Sequence, residues 1–240
     1  MLRKDTLPFP AALFLVLAVM GVAGQAQQVK IVLVGDSTVN DEGGWSPGLR
    51  ASFGPEVEIL NLAQNGRSSK SFRDEGRWAP ALAAKPNFIL IQFGHNDVPG
   101  KGTDRETDAT TTYRQNMARY VDEARAVGAE PVLVTSIVRR NFTADGKIVV
   151  DSLAPYVAEV RSLAAEKKAP LIDLYTLTLE QAERLGPAGC EEIDARDKEG
   201  KRDHTHLGPK GRQEIGALAA RELVRLESIL RPKVPESGRR

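Results

Sequence analysis

The sequence predicts an α/β protein in which a parallel sheet carries helices on both faces. Three observations lead there. Short apolar runs recur along the 240 residues, several are β-branched, and they lack polar alternation, as expected of strands buried on both faces. Segments with helical spacing lie between the runs. Run and helical segment alternate about five times, with no internal repeat or low-complexity block.

In chain order the predicted strands are 31–34, 57–60, 88–93, 132–134 and 171–174. Tyr113, Met117, Tyr120, Val121 and Ala124 share one helical face, and Leu153, Val157, Val160 and Ala164 share another. The last helix opens at Gly208-Pro209, where proline suits the first turn, and carries Ile215, Leu218, Leu223 and Leu226. The first residues stand apart from this pattern. Arg3 and Lys4 precede an uncharged apolar run at 11–23, then Gly24-Gln25-Ala26, which is the layout of a cleaved secretory leader. The run is short for a membrane span. We therefore expect a signal peptide at 1–26, one domain at 27–230 and a basic flexible tail at 231–240, with an uncleaved anchor as the competing reading. The mature chain is expected to be secreted or periplasmic, free of the membrane and monomeric.

Loss of Arg3, Lys4 and Asp5 takes Lys plus Arg from 33 to 31 and Asp plus Glu from 32 to 31, a formal charge of zero. No net field then steers the protein to nucleic acid or an anionic membrane. Cys190 is the single cysteine, so no intrachain disulfide can form.

In open parallel sheets, function collects beyond the C-terminal strand ends where strand order reverses. Strand 1 is followed by Gly35-Asp36-Ser37, strand 2 by "NLAQNGRSS" with Gly66, and strand 3 by "GHND" with Asn96. An order of 2-1-3 would flank Ser37 with Gly66 and Asn96. A serine hydroxyl needs a base to become a nucleophile. Of the three histidines, His204 and His206 stand in "RDHTHLG". Asp203 and His206 are three residues apart and, in a helical turn, lie on one side. His206 would then be the base and Asp203 its orienting partner, with His204 pointing elsewhere as a structural or substrate-side residue. The N–H of Ser37, the N–H of Gly66 and the amide of Asn96 would donate to a developing oxyanion.

Each feature also has an ordinary reading. Ser37 alone is a turn or cap residue, Gly66 alone is turn chemistry, and Asn96 alone is an Asx turn. His95 reads as a packed, hydrogen-bonded loop residue, and Asp36 and Asp97 as supporting carboxylates. Trp45 and Trp78 are either sugar-stacking platforms or packing beside the crevice. Arg67 and Arg77 either meet uronate groups or lie on solvated surface. The stretches at 100–107 and 191–201 read as surface loops. "DHTH" raises zinc, but no third imidazole ligand is near in sequence, and no metal is expected. Neither a phosphate-binding Gly-rich loop nor a Gly-x-Ser-x-Gly elbow is present.

Together the "GDS", the glycine of "NxAxxG", the "GxND" and the late "DxxH" resemble the SGNH, or GDSL-type, hydrolases, in that family's order across nearly the whole mature chain. The fuller forms "GDSTVND", "NGRSSKSFRDEGRW", "FGHNDVPGKGTDRET" and "DHTHLGPKG" are similar to the rhamnogalacturonan acetylesterase branch. That resemblance implies a three-layer α/β/α flavodoxin-like fold with five parallel strands. It implies hydrolysis of acetyl esters on a plant cell-wall polysaccharide without a cofactor. It also implies Ser37 as nucleophile, Asp203 and His206 as its partners, and Ser37, Gly66 and Asn96 as the oxyanion hole. Candidates for substrate binding are Trp45, Arg67, Trp78 and His204. Esterases of other specificity (acetylxylan, aryl ester, lipid or thioester) and a non-catalytic polysaccharide-binding protein are the alternatives.

Overall fold

The computed structural model describes residues 28–230, so the predicted leader at 1–26 and tail at 231–240 lie outside the described residues. Its centre is a parallel sheet of β1 (Val29–Gly35), β2 (Val57–Asn61), β3 (Phe88–Gln92), β4 (Glu130–Val134) and β5 (Leu171–Ile172). The spatial order is β2-β1-β3-β4-β5, so the strand order reverses at β1, the 2-1-3 arrangement considered from the sequence. Helices are α1 (Ser46–Ala51), α2 (Ser71–Asp74), α3 (Trp78–Ala83), α4 (Arg114–Ala126), α5 (Ala154–Lys167), α6 (Leu174–Glu191) and α7 (Pro209–Leu230). Before α7 comes an antiparallel hairpin, β6 (Asp194–Arg196) and β7 (Arg202–Leu207).

The apolar runs become strands because both faces of the sheet are covered. Ile31, Leu33, Leu90, Val132 and Val134 pack with Leu49 of α1 and with Ile215 and Leu223 of α7. The alternate residues Val32, Val34, Ile89, Ile91 and Leu133 point the other way, onto Phe72, Met117, Tyr120 and Val160. This is the period-2 alternation of a strand with an apolar layer on each side. Met117, Tyr120, Val121 and Ala124 form the buried stripe of α4, as their spacing predicted.

Local chemistry ends the elements. The fifth strand is shorter than the apolar run at 171–174, because the Asp173 carboxylate caps the next helix by accepting the Thr176 N–H at 3.3 Å. Leu174 therefore begins α6. The stretch at 191–201 is also not a plain loop, since it closes α6 and contributes β6 to the hairpin. Cys190 is buried just before it.

α1 and α7 cross at two glycines. A methyl group built on Gly216 would lie 2.3 Å from Trp45 O and from Leu49 N, and one on Gly48 would lie 2.4 Å from Arg212 O. Those neighbours are backbone atoms and cannot swing aside. The helices approach this closely only because neither position carries a side chain. Gly216→Ala is therefore expected to lower the unfolding free energy by about 3 kcal/mol, the upper end for overpacking. The check is the urea midpoint; an unchanged value would show that the crossing is not close-packed.

Candidate active site

β1 ends at Gly35 and the chain turns through Asp36, Ser37 and Thr38. Of residues 31–40, only Ser37 is not buried. A buried polar relay holds the turn from beneath. The Asp36 carboxylate accepts the Thr38 N–H at 2.8 Å and the Thr38 hydroxyl at 2.7 Å. Gln92, which pairs with Gly35 across the sheet, donates to Thr38 Oγ1 at 2.7 Å. The indole of Trp45 donates to Gln92 Oε1 at 2.9 Å. Burial pushes the Asp36 carboxyl up, against the hydrogen bonds from Thr38.

That relay corrects one sequence reading. Trp45 is fully buried and offers no face to a sugar. Trp78 is also buried, edge-on to Tyr120 at 4.8 Å, with its N–H donated to Glu123 at 2.7 Å. Each indole has an apolar pocket and an acceptor for its N–H, which satisfies both ends of an amphipathic ring.

β7 supplies the opposite wall. His206 Nε2 lies 2.8 Å from Ser37 Oγ, and His206 Nδ1 lies 2.6 Å from Asp203 Oδ2. Asp203 Oδ1 also accepts the N–H groups of Thr205 at 2.8 Å and His206 at 3.1 Å. This segment is strand, not the helical turn the spacing suggested. Asp194 pairs with Leu207, yet the next residue, Ala195, pairs with Asp203, so the intervening residues of β7 bulge out of the hairpin. The bulge, closed by Asp203 on its own backbone, is what lets the two side chains meet. Burial works to raise the Asp203 carboxyl, but its hydrogen bonds from His206 and the backbone outweigh that and hold it below its ordinary value. An ionised carboxylate only accepts, so Nδ1 carries the proton and the Nε2 lone pair faces the Ser37 hydroxyl.

The bulge is anchored to the sheet. After β4, Arg140 is buried with its Nε on Asp194 Oδ1, a contact matched by Arg202 Nε on Asp194 Oδ2. Arg140 Nη2 donates to His206 O at 2.8 Å, and its own N–H donates to His204 O at 2.8 Å. Gly43 abuts the imidazole: a methyl group there would lie 3.1 Å from His206 Cδ2.

The three loops after β1, β2 and β3 frame a cleft of about 440 Å³ lined by Ser37, Glu42, Asn65, Gly66, Asn96 and His206. Gly66 has φ 74°, the left-handed region where glycine is favoured. The Asn96 amide gives one proton to Arg67 O at 3.2 Å and has another to offer. Glu42 and Asn65 were missed by sequence reasoning. Asn65 Nδ2 donates to Glu42 Oε2 at 3.1 Å, and Asn40 Oδ1 accepts the N–H groups of Glu42 and Gly43. Their signal was their position, beside glycines in strand-terminal loops.

Other candidates lie elsewhere. Arg67 and Arg77 both spend their Nε on Glu75. His204 Nδ1 faces Arg140 O at 3.0 Å. His95 is buried, and burial and the Arg139 charge hold its imidazole well below the ordinary value, so it is neutral. Neither ring nitrogen makes a hydrogen bond of good geometry among the described residues, and a weaker contact with the Ile137 backbone acts to raise its basicity. Among the described residues no three of His, Cys, Asp and Glu converge to hold a metal ion, and no helix is long and apolar enough to cross a membrane.

Residues 31–213 match the GDSL-like lipase/acylhydrolase family. The chain is similar to rhamnogalacturonan acetylesterase RhgT of Bacillus subtilis, with 34% identity over 210 residues, covering 80% of this chain and 88% of that one. The crystal structure of protein YxiM of Bacillus subtilis superposes with TM-score 0.71 at 26% identity, over 83% of this chain and 57% of that longer one. The acetyl xylan esterase AlAXEase superposes with TM-score 0.64 at 18% identity, over 80% of this chain and 98% of that one, which shows a shared fold.

Beneath the cleft, next to Asn96, the buried Asp97 carboxylate accepts the Ser69 N–H at 3.1 Å, the Ser69 hydroxyl at 2.6 Å and the Thr107 hydroxyl at 3.0 Å. Burial outweighs these bonds and pushes its carboxyl up to about 7. The folded state therefore holds this proton more tightly than the unfolded chain, where an aspartate titrates near about 3.9. Its contribution to stability is present at acid pH and is lost as pH rises to about 7. Asp97→Asn, neutral throughout, should flatten that slope: urea midpoints at about pH 5 and about pH 8 should differ less than in wild type. Equal slopes in the two proteins would refute the titration of Asp97.

Proposed function

The chain belongs to the GDSL-like lipase/acylhydrolase family and is a carboxylic ester hydrolase; within that class we propose that it removes O-acetyl groups from an acetylated plant cell-wall polysaccharide, rhamnogalacturonan first among them. The observation that carries the chemistry is the hydrogen-bonded series Ser37–His206–Asp203 opening into a cleft beside Gly66 and Asn96. The substrate rests on the similarity to RhgT along most of both chains.

In this reading Ser37 Oγ attacks the acetyl carbonyl carbon while His206 Nε2 takes its proton. The carbonyl oxygen becomes an oxyanion facing the N–H groups of Ser37 and Gly66 and the free amide proton of Asn96. His206 then protonates the sugar oxygen, the acyl C–O bond breaks, and the deacetylated sugar leaves an acetyl group on Ser37. Water, deprotonated by His206, attacks that ester, the bond from the acyl carbon to Ser37 Oγ breaks, and His206 returns the proton to Ser37 Oγ as acetate leaves. Asp203 keeps the Nδ1 proton in place and balances the imidazolium charge. The leader pattern at 1–26 supports action outside the cytoplasm.

Acetate release from acetylated rhamnogalacturonan and acetylated xylan should be seen with wild type. Ser37→Ala should lose on the order of a millionfold in turnover while keeping its fold. Full activity in that variant would end the serine mechanism. Asn96→Ala should lower kcat by about a hundred- to a thousandfold with a smaller change in KM, since its amide acts on the oxyanion. A pure KM effect would instead make Asn96 a binding residue.

A further inference from the structure

Most guanidinium groups around the cleft are engaged. Arg67 and Arg77 share Glu75, Arg139 pairs with Asp151 at 2.7 Å, and Arg140 is bound to Asp194. Arg105 differs. No nitrogen of its guanidinium makes a hydrogen bond to another described residue, and its buried Nε meets only the carboxylate of Asp104. Its one ion pair is a long 3.8 Å contact with Asp104, a side chain three-quarters exposed to water. The Nε is out of reach of solvent, but the side chain is about a third exposed and its Nη groups are open to an acceptor from solution.

The position of Arg105 points to that acceptor. A methyl group on Gly66 would lie 3.9 Å from Arg105 Nη1, so the guanidinium stands over the Gly66 edge of the cleft. The loop that carries it is held in shape. Glu106 accepts the N–H groups of Gly100 at 2.8 Å and Gly102 at 2.7 Å, Lys70 donates to Thr103 O at 2.8 Å, and Thr107 N–H donates to Asp97 O at 2.9 Å. The Glu106 carboxylate is thus held by its own loop and makes no ion pair with Arg105; the backbone donors hold its carboxyl below the ordinary value, and the Arg105 charge helps after them. Glu42 lines the same cleft, where it accepts from Asn65. The cleft therefore carries both signs of charge, a cation at its Gly66 edge and a carboxylate at Glu42.

We propose that Arg105 is a specificity-determining residue that receives the carboxylate of a uronic acid unit, seating an anionic sugar on the Gly66 side of Ser37. A planar guanidinium with free donors matches a carboxylate in two parallel hydrogen bonds, which a lysine ammonium cannot reproduce. Glu42 repels the same carboxylate, so the acidic sugar is oriented as well as bound. This inference rests on the carbohydrate reading above and adds the charge of the sugar.

The test is inhibition of 4-nitrophenyl acetate hydrolysis by trigalacturonate, with its methyl ester as the uncharged control, in wild type, Arg105→Gln and Arg105→Lys. We expect trigalacturonate to inhibit wild type more strongly than its methyl ester does. Arg105→Gln should raise the trigalacturonate inhibition constant about tenfold and leave no preference for acid over ester, with Arg105→Lys between the two. Equal inhibition of wild type and Arg105→Gln, equal potency of acid and ester on wild type, or no inhibition of wild type by the acid would each overturn the proposal. The ratio of kcat/KM on acetylated rhamnogalacturonan to that on acetylated xylan should fall in Arg105→Gln. If wild type releases acetate from neither polymer, the substrate reading above fails, while the inhibition constants still decide the role of Arg105.

Discussion

A carboxylate with no exposure to water is tolerable only where cations and donors neutralise it, and Asp194 is fully enclosed between Arg140 and Arg202. Much of the site depends on that arrangement. Asp194 lies on the hairpin that precedes α7, and Arg140 lies on the chain that leaves β4. Their contact joins the sheet to the one segment carrying both Asp203 and His206. Because Arg140 also binds the backbone oxygen of His206, the imidazole is located by an ion pair that never touches the ring. Removing one partner of such a pair strands the other charge, which typically costs about 3–5 kcal/mol. The hairpin pairs at only three positions with a shift between them, and the buried ions add a tie to the sheet.

The two halves of the site are supported by opposite means. Under Ser37 runs a relay of hydrogen bonds from Trp45 through Gln92 and Thr38 to Asp36, closed off from water. Under His206 the support is ionic. The relay sets the direction of a hydroxyl on a sharp turn, a task for short directional bonds. The ion pairs restrain a bulged strand with few ladder bonds, where strength matters more than angle.

Much of this was legible in the sequence, for identifiable reasons. The strands announced themselves because both their faces are apolar, and the order β2-β1-β3 is one that right-handed parallel units allow but do not dictate. Ser37, Gly66 and Asn96 each end a strand, so topology alone gathers them. Trp45 and Trp78 could not be placed, because a single aromatic has no period and the difference between a platform and a buried indole is decided by an acceptor far along the chain. Gln92 and Glu123 are those acceptors, 47 and 45 residues away. Asp203 and His206 were paired correctly in space on a wrong local geometry, since a three-residue spacing fits a helical turn and a bulged strand alike. Arg140 lies in no quoted motif, and Arg105 lies in "FGHNDVPGKGTDRET" with no role attached to it by the sequence. Their parts come from which carboxylates they reach, or fail to reach, in three dimensions.

The glycine crossing of α1 and α7 bears on when the protein becomes a hydrolase. α1 follows the turn of Ser37, and α7 follows His206, which is 169 residues further along the chain. A chain synthesised from its N-terminus makes the hydroxyl early and the imidazole almost last. Until the hairpin that carries His206 is in place, the serine has no base. Reactivity thus arrives late in the chain, and one that stops short of His206 can expose the same hydroxyl without acylating it.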